Sequence, residues 1–273
     1  MTDFERIKGY YQYFNEDGRL SGDSSGRLEY EMAMAKLRKY LPESGCILDL
    51  GGATGAYAFP LAEAGYQVWL ADLSERLIGL AREKKERNNA KNLISCDVVN
   101  ALDLSVYQDA HFDAVLLFGP LYHLLEAGER SRCISEVNRV LKPSGRVFAS
   151  FIPYLSGSIA IVDRFFFAPD QVGPENLREV FATGRFNNNA SYGFQEGYYP
   201  TSDEIVDLFK YNGFSMLSLS SIRGFLYEKE ERFYQIQDNA MRDEILKLAQ
   251  ETSGKKEIIE TCGHAMYIGK KNA

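Results

Sequence analysis

The 273-residue chain has four cysteines and three histidines. Cys46, Cys96, Cys133 and Cys262 contain no Cys-x-x-Cys pair, and so few histidines leave no zinc-ligand spacing, so no metal site is expected. The cysteines read as reduced packing residues. Positive charge is also scarce: 31 Lys and Arg stand against 38 Asp and Glu, a formal net charge of −7. That balance excludes a broad nucleic-acid footprint. No apolar run approaches the ~20 residues of a membrane span, and the opening MTDFERIKGYYQYF lacks the apolar stretch of a secretory signal. Repeats, low-complexity tracts and long linkers are absent. The expectation is a cytoplasmic globular protein, with neither membrane nor nucleic acid as partner. The 45% hydrophobic content is enough for a sizeable core.

From about residue 45 to 152, strands alternate with helices. Cys46 to Leu50 is a short apolar run ending in Gly51-Gly52, which reads as a buried strand. A helix is expected over 55–64, then strands over Tyr66–Asp72 and Asn92–Cys96, with a helix capped by Ser74 between them. Phe112–Phe118 is nearly all apolar, as a central parallel strand is. The next helix buries Cys133, Ile134, Val137 and Val140 and stops at the turn Lys142-Pro143-Ser144-Gly145, before a strand over Arg146–Ile152. This pattern is α/β: an open, doubly wound, Rossmann-like parallel sheet. Residues 153–199 are rich in Phe, Tyr, Asn and Gly without a clean period. A helix opens at the capping-box pair Thr201 and Glu204. Strands follow over Phe214–Ile222 and Ala265–Gly269, with a helical insertion over 226–251. One domain is expected, with its core at about 40–152, 201–222 and 262–270 and a cap from 1–30 and 153–199.

The segment with the most chemical content is Asp49-Leu50-Gly51-Gly52-Ala53-Thr54-Gly55. A glycine turn after the first strand brings backbone close to a ligand, with a helix N-terminus facing it. Asp72 ends the second strand, where its two oxygens can accept from both hydroxyls of a ribose. Asp97 follows the third strand and suits an exocyclic amine of adenine. Together these residues fit an adenosine-bearing ligand at the carboxyl ends of the strands.

Asp49-x-Gly51-x-Ala53-x-Gly55, with Asp72-Leu73 and Asp97-Val98, resembles the class I S-adenosylmethionine-dependent methyltransferases. Ala53 stands where that family usually has glycine. The stretch Phe118-Gly119-Pro120-Leu121-Tyr122-His123-Leu124 is similar to the motif after the fourth strand in a bacterial subgroup acting on small molecules. The segment from Tyr10 to Tyr30 and the ending Gly263-His264-Ala265-Met266-Tyr267 are similar to that subgroup too. The resemblance implies a seven-stranded sheet whose last strand is antiparallel and lies beside the sixth. It also implies S-adenosyl-L-methionine as cofactor, S-adenosyl-L-homocysteine as product and a small-molecule acceptor. The cofactor contacts it implies are Asp49, Gly51, Gly52, Ala53, Gly55, Asp72, Leu73, Asp97, Val98 and Phe118.

Tyr122 and His123 are the candidates to orient or deprotonate the acceptor. The Tyr10–Phe14 cluster, with Tyr11, either packs on the core or closes over the cofactor. Arg19 either pairs with the methionine carboxylate or is solvated. His264 reads as structural, and the aromatic residues of 153–199 serve as core or as lid. Two other functions fit parts of the pattern. A nicotinamide-dependent oxidoreductase prefers Gly-x-Gly-x-x-Gly, which Gly51, Ala53 and Ala56 match weakly. A non-catalytic S-adenosylmethionine-binding regulator keeps the loop and Asp72 but lacks an acceptor cavity.

Overall fold

The computed structural model describes residues 2–272. The chain opens with α1 (Phe4–Tyr11) and α2 (Ser24–Tyr40). The alternating core follows as β1 (Cys46–Leu50), α3 (Ala58–Glu63), β2 (Gln67–Asp72), α4 (Glu75–Arg87), β3 (Leu93–Val98), β4 (Phe112–Phe118), α5 (Pro120–His123), α6 (Ala127–Val140) and β5 (Leu141–Phe151). An insertion carries α7 (Tyr154–Phe167), α8 (Pro174–Thr183) and the hairpin of β6 (Arg185–Asn187) and β7 (Glu196–Tyr198). The chain then returns to the sheet with α9 (Ser202–Tyr211), β8 (Phe214–Ser221), α10 (Glu230–Tyr234), α11 (Asn239–Thr252), α12 (Lys256–Thr261) and β9 (Ala265–Lys271).

Seven strands form one sheet in the order β3-β2-β1-β4-β5-β9-β8. β9 is antiparallel to both neighbours, with Ala265 opposite Phe151 on β5 and Ser221 on β8. Its first residues therefore lie at the edge where β5 ends. The apolar run of β4 is central, and Ala114, Val115, Leu116 and Leu117 are all fully buried. Helices cover both faces. Cys133, Ile134, Val137 and Val140 of α6 pack one face with Phe209 of α9, whose ring stacks on Tyr267 at 4.1 Å. Leu28, Met32 and Leu37 of α2 pack the other face with Ile78 and Ala81 of α4. The Leu, Ile, Val, Met and Phe side chains among them contribute roughly 1.5–3 kcal/mol each when fully buried.

Some local expectations change. The helix expected over 55–64 starts at Ala58, because Gly51, Ala53 and Gly55 all adopt positive φ and extend the turn. The turn residues Lys142–Gly145 lie inside β5, where they bulge out between the Phe112–Leu141 and Ala114–Arg146 pairs. The helical stretch over 226–251 is two helices, α10 and α11, and α12 is additional. Residues 153–199 are regular despite their irregular pattern. Their own small core contains Ile161, Val172, Val180, Phe186 and Tyr199. Phe167 and Tyr192, by contrast, face solvent.

Candidate functional site

A cavity opens at the carboxyl edge of the sheet, across the reversal of strand order between β1 and β4. Open α/β sheets bind ligands at such points. On one side the Gly51-Gly52-Ala53-Thr54 turn and Asp72-Leu73 line it, and on the other Phe118, Tyr122, His123, Ser150, His264 and Met266 do. Gly51 adopts φ +78°, and a Cβ there would sit 2.6 Å from Pro120 Cδ, so only glycine lets the turn approach the β4 end. A Cβ on Gly52 would lie 2.5 Å from Asp49 Cγ.

Asp72 Oδ2 accepts from the Ala53 amide at 3.0 Å, and Oδ1 accepts from the Ser74 amide at 2.8 Å. The carboxylate is thus fixed in direction, with lone pairs left for further donors. Burial outweighs these amides and pushes its pKa up to about 6. Asp49 lies under the turn rather than on the cavity. It is fully buried and neither oxygen has a hydrogen-bond partner. Burial, and then the Asp72 charge, push it up to about 7; the Ala58 amide, short of hydrogen-bond geometry, offsets this only in part. The folded state therefore keeps a proton that the unfolded chain releases near pH 4. Stability from this group falls as pH rises from about 4 to about 7. Thermal melts across that range should show Asp49→Asn gaining on the parent as pH rises. A constant difference between the two would contradict the assignment.

Tyr11 and His123 meet across the cavity, with the Tyr11 hydroxyl 3.0 Å from His123 Nε2. His123 is buried and its Nδ1 has no partner. Burial pushes its pKa down to about 4, so the ring is neutral near pH 7. Arg19 is half-buried and paired: it borders the cavity and donates to Glu16 Oε1 at 2.8 Å and to Glu29 Oε1 at 2.9 Å. The second Glu29 oxygen lies 2.7 Å from His264 Nδ1. Burial alone would raise the Glu29 carboxyl, but His264 and Arg19 outweigh it and hold it well below the usual range.

The N-terminal segment forms the cavity's outer wall through Phe4, Ile7, Tyr11, Glu16 and Leu20. Arg76 of α4 donates to the carbonyls of Tyr11 at 2.9 Å and Phe14 at 2.7 Å, and Thr54 donates to Asp17 at 2.7 Å. Arg6 reaches the insertion hairpin, donating to Gln195 Oε1 at 2.9 Å and Asn187 Oδ1 at 3.1 Å.

Several sequence-predicted residues lie elsewhere. Asp97 and Val98 do not border the cavity. β3 runs on to Val98, so Asp97 is inside the strand on the face of Ser95, and its carboxylate accepts from Ser95 at 2.5 Å and Tyr107 at 3.0 Å. Val99, Asn100 and Ala101 take that stretch of wall instead. Gly55 belongs to the turn but not to the lining. The 153–199 insertion contributes no lining residue. It supports the wall from behind, with Phe194 5.3 Å from the His123 ring and 6.1 Å from Tyr10. Glu29 has no functional reading from sequence. The available signal was an acid three and four residues before Met32 and Ala33, on the apolar stripe of α2.

Residues 48–149 match the family described as a methyltransferase domain, which covers β1 to β5 and the whole glycine turn. Residues 48–149 are therefore a methyltransferase domain. The domain is 34% identical over 106 residues to a putative methyltransferase, YqeM, of Bacillus subtilis, covering 38% of this chain and 41% of that protein. It is 29% identical over 130 residues to the tRNA 5-carboxymethoxyuridine methyltransferase of Escherichia coli, covering 46% of this chain and 49% of that one. The chain thus spans about half, or less, of these relatives' lengths. The fold of the methyltransferase domain with its cap also aligns with 1,6-didemethyltoxoflavin-N1-methyltransferase of Burkholderia thailandensis, solved with S-adenosylhomocysteine. That alignment has a TM-score of 0.62 at 16% identity and covers 98% of this chain and 88% of the other. Among the described residues of the domain, no cluster of His, Cys, Asp or Glu is placed to hold a metal, and no helix is long and apolar enough to cross a membrane.

Proposed function

We propose that the protein transfers a methyl group from S-adenosylmethionine to a small-molecule acceptor. The observation that carries this reading is the Asp72 carboxylate, held by two loop amides at the rim of the glycine turn, in one cavity with Tyr122 and His123. The donor set fits the cofactor. A fixed carboxylate suits a ribose diol, and Arg19 lies on the same cavity to meet a carboxylate. When bound, the cofactor supplies an electrophilic methyl group on a sulfonium. The chain itself aligns, covers and excludes water. Phe4, Ile7 and Tyr11 close the outer wall, and alignment of this kind supplies on the order of 7–11 kcal/mol. Tyr122, with a pKa raised by burial, stays protonated and orients the acceptor.

A covered cavity and a net charge of −7 favour a small acceptor over tRNA, on which the Escherichia coli relative acts by its name. Calorimetry with S-adenosylhomocysteine and with NAD tests the cofactor. Binding of the first but not the second is expected, and the reverse would favour an oxidoreductase. Label from methyl-tritiated cofactor should enter a metabolite extract and not bulk tRNA. Label in tRNA would overturn the small-molecule reading, and label in neither would favour a regulator.

A further inference from the structure

Glu29 and His264 form a buried carboxylate–imidazole pair on the half of the cavity away from Asp72. Glu29 is 7% exposed, and its oxygens are divided between His264 Nδ1 at 2.7 Å and Arg19 at 2.9 Å. The His264 side chain is 24% exposed, borders the cavity and lies 6.2 Å from the Tyr122 ring. With Nδ1 committed to a carboxylate, the proton sits on Nδ1 and the lone pair on Nε2. Nε2 has no hydrogen-bond partner among the described residues.

Resting on the methyltransferase reading above, we propose that His264, oriented by Glu29, is the general base that takes the proton of an aromatic hydroxyl. The other histidine on the cavity is unsuited to this. His123 has Nε2 engaged by Tyr11, and burial opposes its protonation. Glu29 holds the His264 ring in place by direct contact, and the Arg19 clamp keeps the carboxylate from turning away. Tyr122, Arg19 and Glu29 are the ionisable groups that meet the ring or its partner. Tyr11, Phe118, Tyr122 and Met266 give the cavity aromatic and apolar walls suited to a flat ring. A phenol loses its proton only near pH 10 and needs a base at neutral pH, whereas a carboxylate acceptor needs none.

In the step, the phenol oxygen bonds to the methyl carbon as the carbon–sulfur bond breaks, its electron pair going to sulfur. The phenol proton passes to His264 Nε2, and later to solvent. The positive charge lost at sulfur reappears on the imidazolium beside Glu29. Glu29 is a positioning residue in this scheme.

The test uses the full chain with S-adenosylhomocysteine and 4-nitrophenol, whose phenolate absorbs in the visible. At a pH where the free probe is mostly neutral, the bound probe should show the phenolate band. His264→Gln should abolish that band while leaving S-adenosylhomocysteine affinity intact, and Glu29→Gln should weaken it. Nitrogen-15 correlation spectra should show His264 as the Nδ1–H tautomer, a preference lost in Glu29→Gln; with three histidines the ring is assignable. For any phenol methylated in turnover, His264→Gln should cost about 10²–10⁴-fold in kcat. A neutral bound probe, a band surviving His264→Gln, or no binding of the probe would overturn the proposal. Failure of S-adenosylhomocysteine to bind in the same samples would instead remove the cofactor reading, and this proposal with it.

Discussion

Deleting residues 1–14 should leave a folded protein that transfers no methyl group and binds S-adenosylhomocysteine at least about 100-fold more weakly. The core depends little on this segment, because Phe4 is the one α1 side chain packed against the two main clusters, and only at their margin. The cavity does depend on it. Phe4, Ile7 and Tyr11 are lost from the wall, and each contributes roughly 1.5–3 kcal/mol where burial is complete. Half of that for the three together is roughly 2.3–4.5 kcal/mol, a range that spans the two decades claimed at about 1.4 kcal/mol per decade. Two further groups lose partners: Arg76, which holds the Tyr11 and Phe14 carbonyls, and His123, which meets the Tyr11 hydroxyl. Circular dichroism and calorimetry on the truncated chain check both halves of the expectation. Unchanged affinity would show that α1 is a surface ornament.

Asp72→Ala is expected to weaken S-adenosylhomocysteine by about 3 kcal/mol, roughly 150-fold. Two charge-assisted hydrogen bonds at roughly 1.5–3 kcal/mol each, not fully additive, give that figure. The alanine variant also frees the Ala53 and Ser74 amides and so loosens the turn. Asp72→Asn separates the two effects. It keeps a carbonyl acceptor for one amide but removes the charge, so most of the affinity loss should remain. Affinity should also fall as pH drops through about 6, where the carboxyl takes up a proton and loses an acceptor site. Calorimetry on both variants across that range is the check, and an unchanged dissociation constant would remove Asp72 from the site.

The parts of the site legible in sequence are those set by punctuation within a few residues. The glycine turn closes β1, and Asp72 closes β2, because the loops there are short and the strands are marked by apolar runs. Asp97 was misplaced for the same local reason. Ending the third strand at Cys96 instead of Val98 puts the acid in a loop, whereas inside a strand the two-residue alternation turns it to Ser95 and Tyr107. The order of the C-terminal strands was legible through the family resemblance. The insertion was not, because its helices bury a small private core and leave Phe165, Phe166 and Phe167 exposed, which erases the usual stripe. His264 read as structural because its partner, Glu29, is 235 residues away and no local pattern joins them.

That separation also bears on how the protein is made. Contacts between distant parts of a chain form late, since the ordering of a long loop precedes any return from them. During synthesis, β1 to β5 emerge complete and can pack while His264 and the following β9, which carries Met266, are still unmade. Until β9 threads between β5 and β8, the sheet has an open edge at β5, and Glu29 lacks His264, one of its two partners. A partly synthesised chain therefore presents the glycine turn and Asp72 without a finished acceptor side. Pocket completion is in this sense a report that the last strand has docked, and an unfinished chain is kept from chemistry by its own topology.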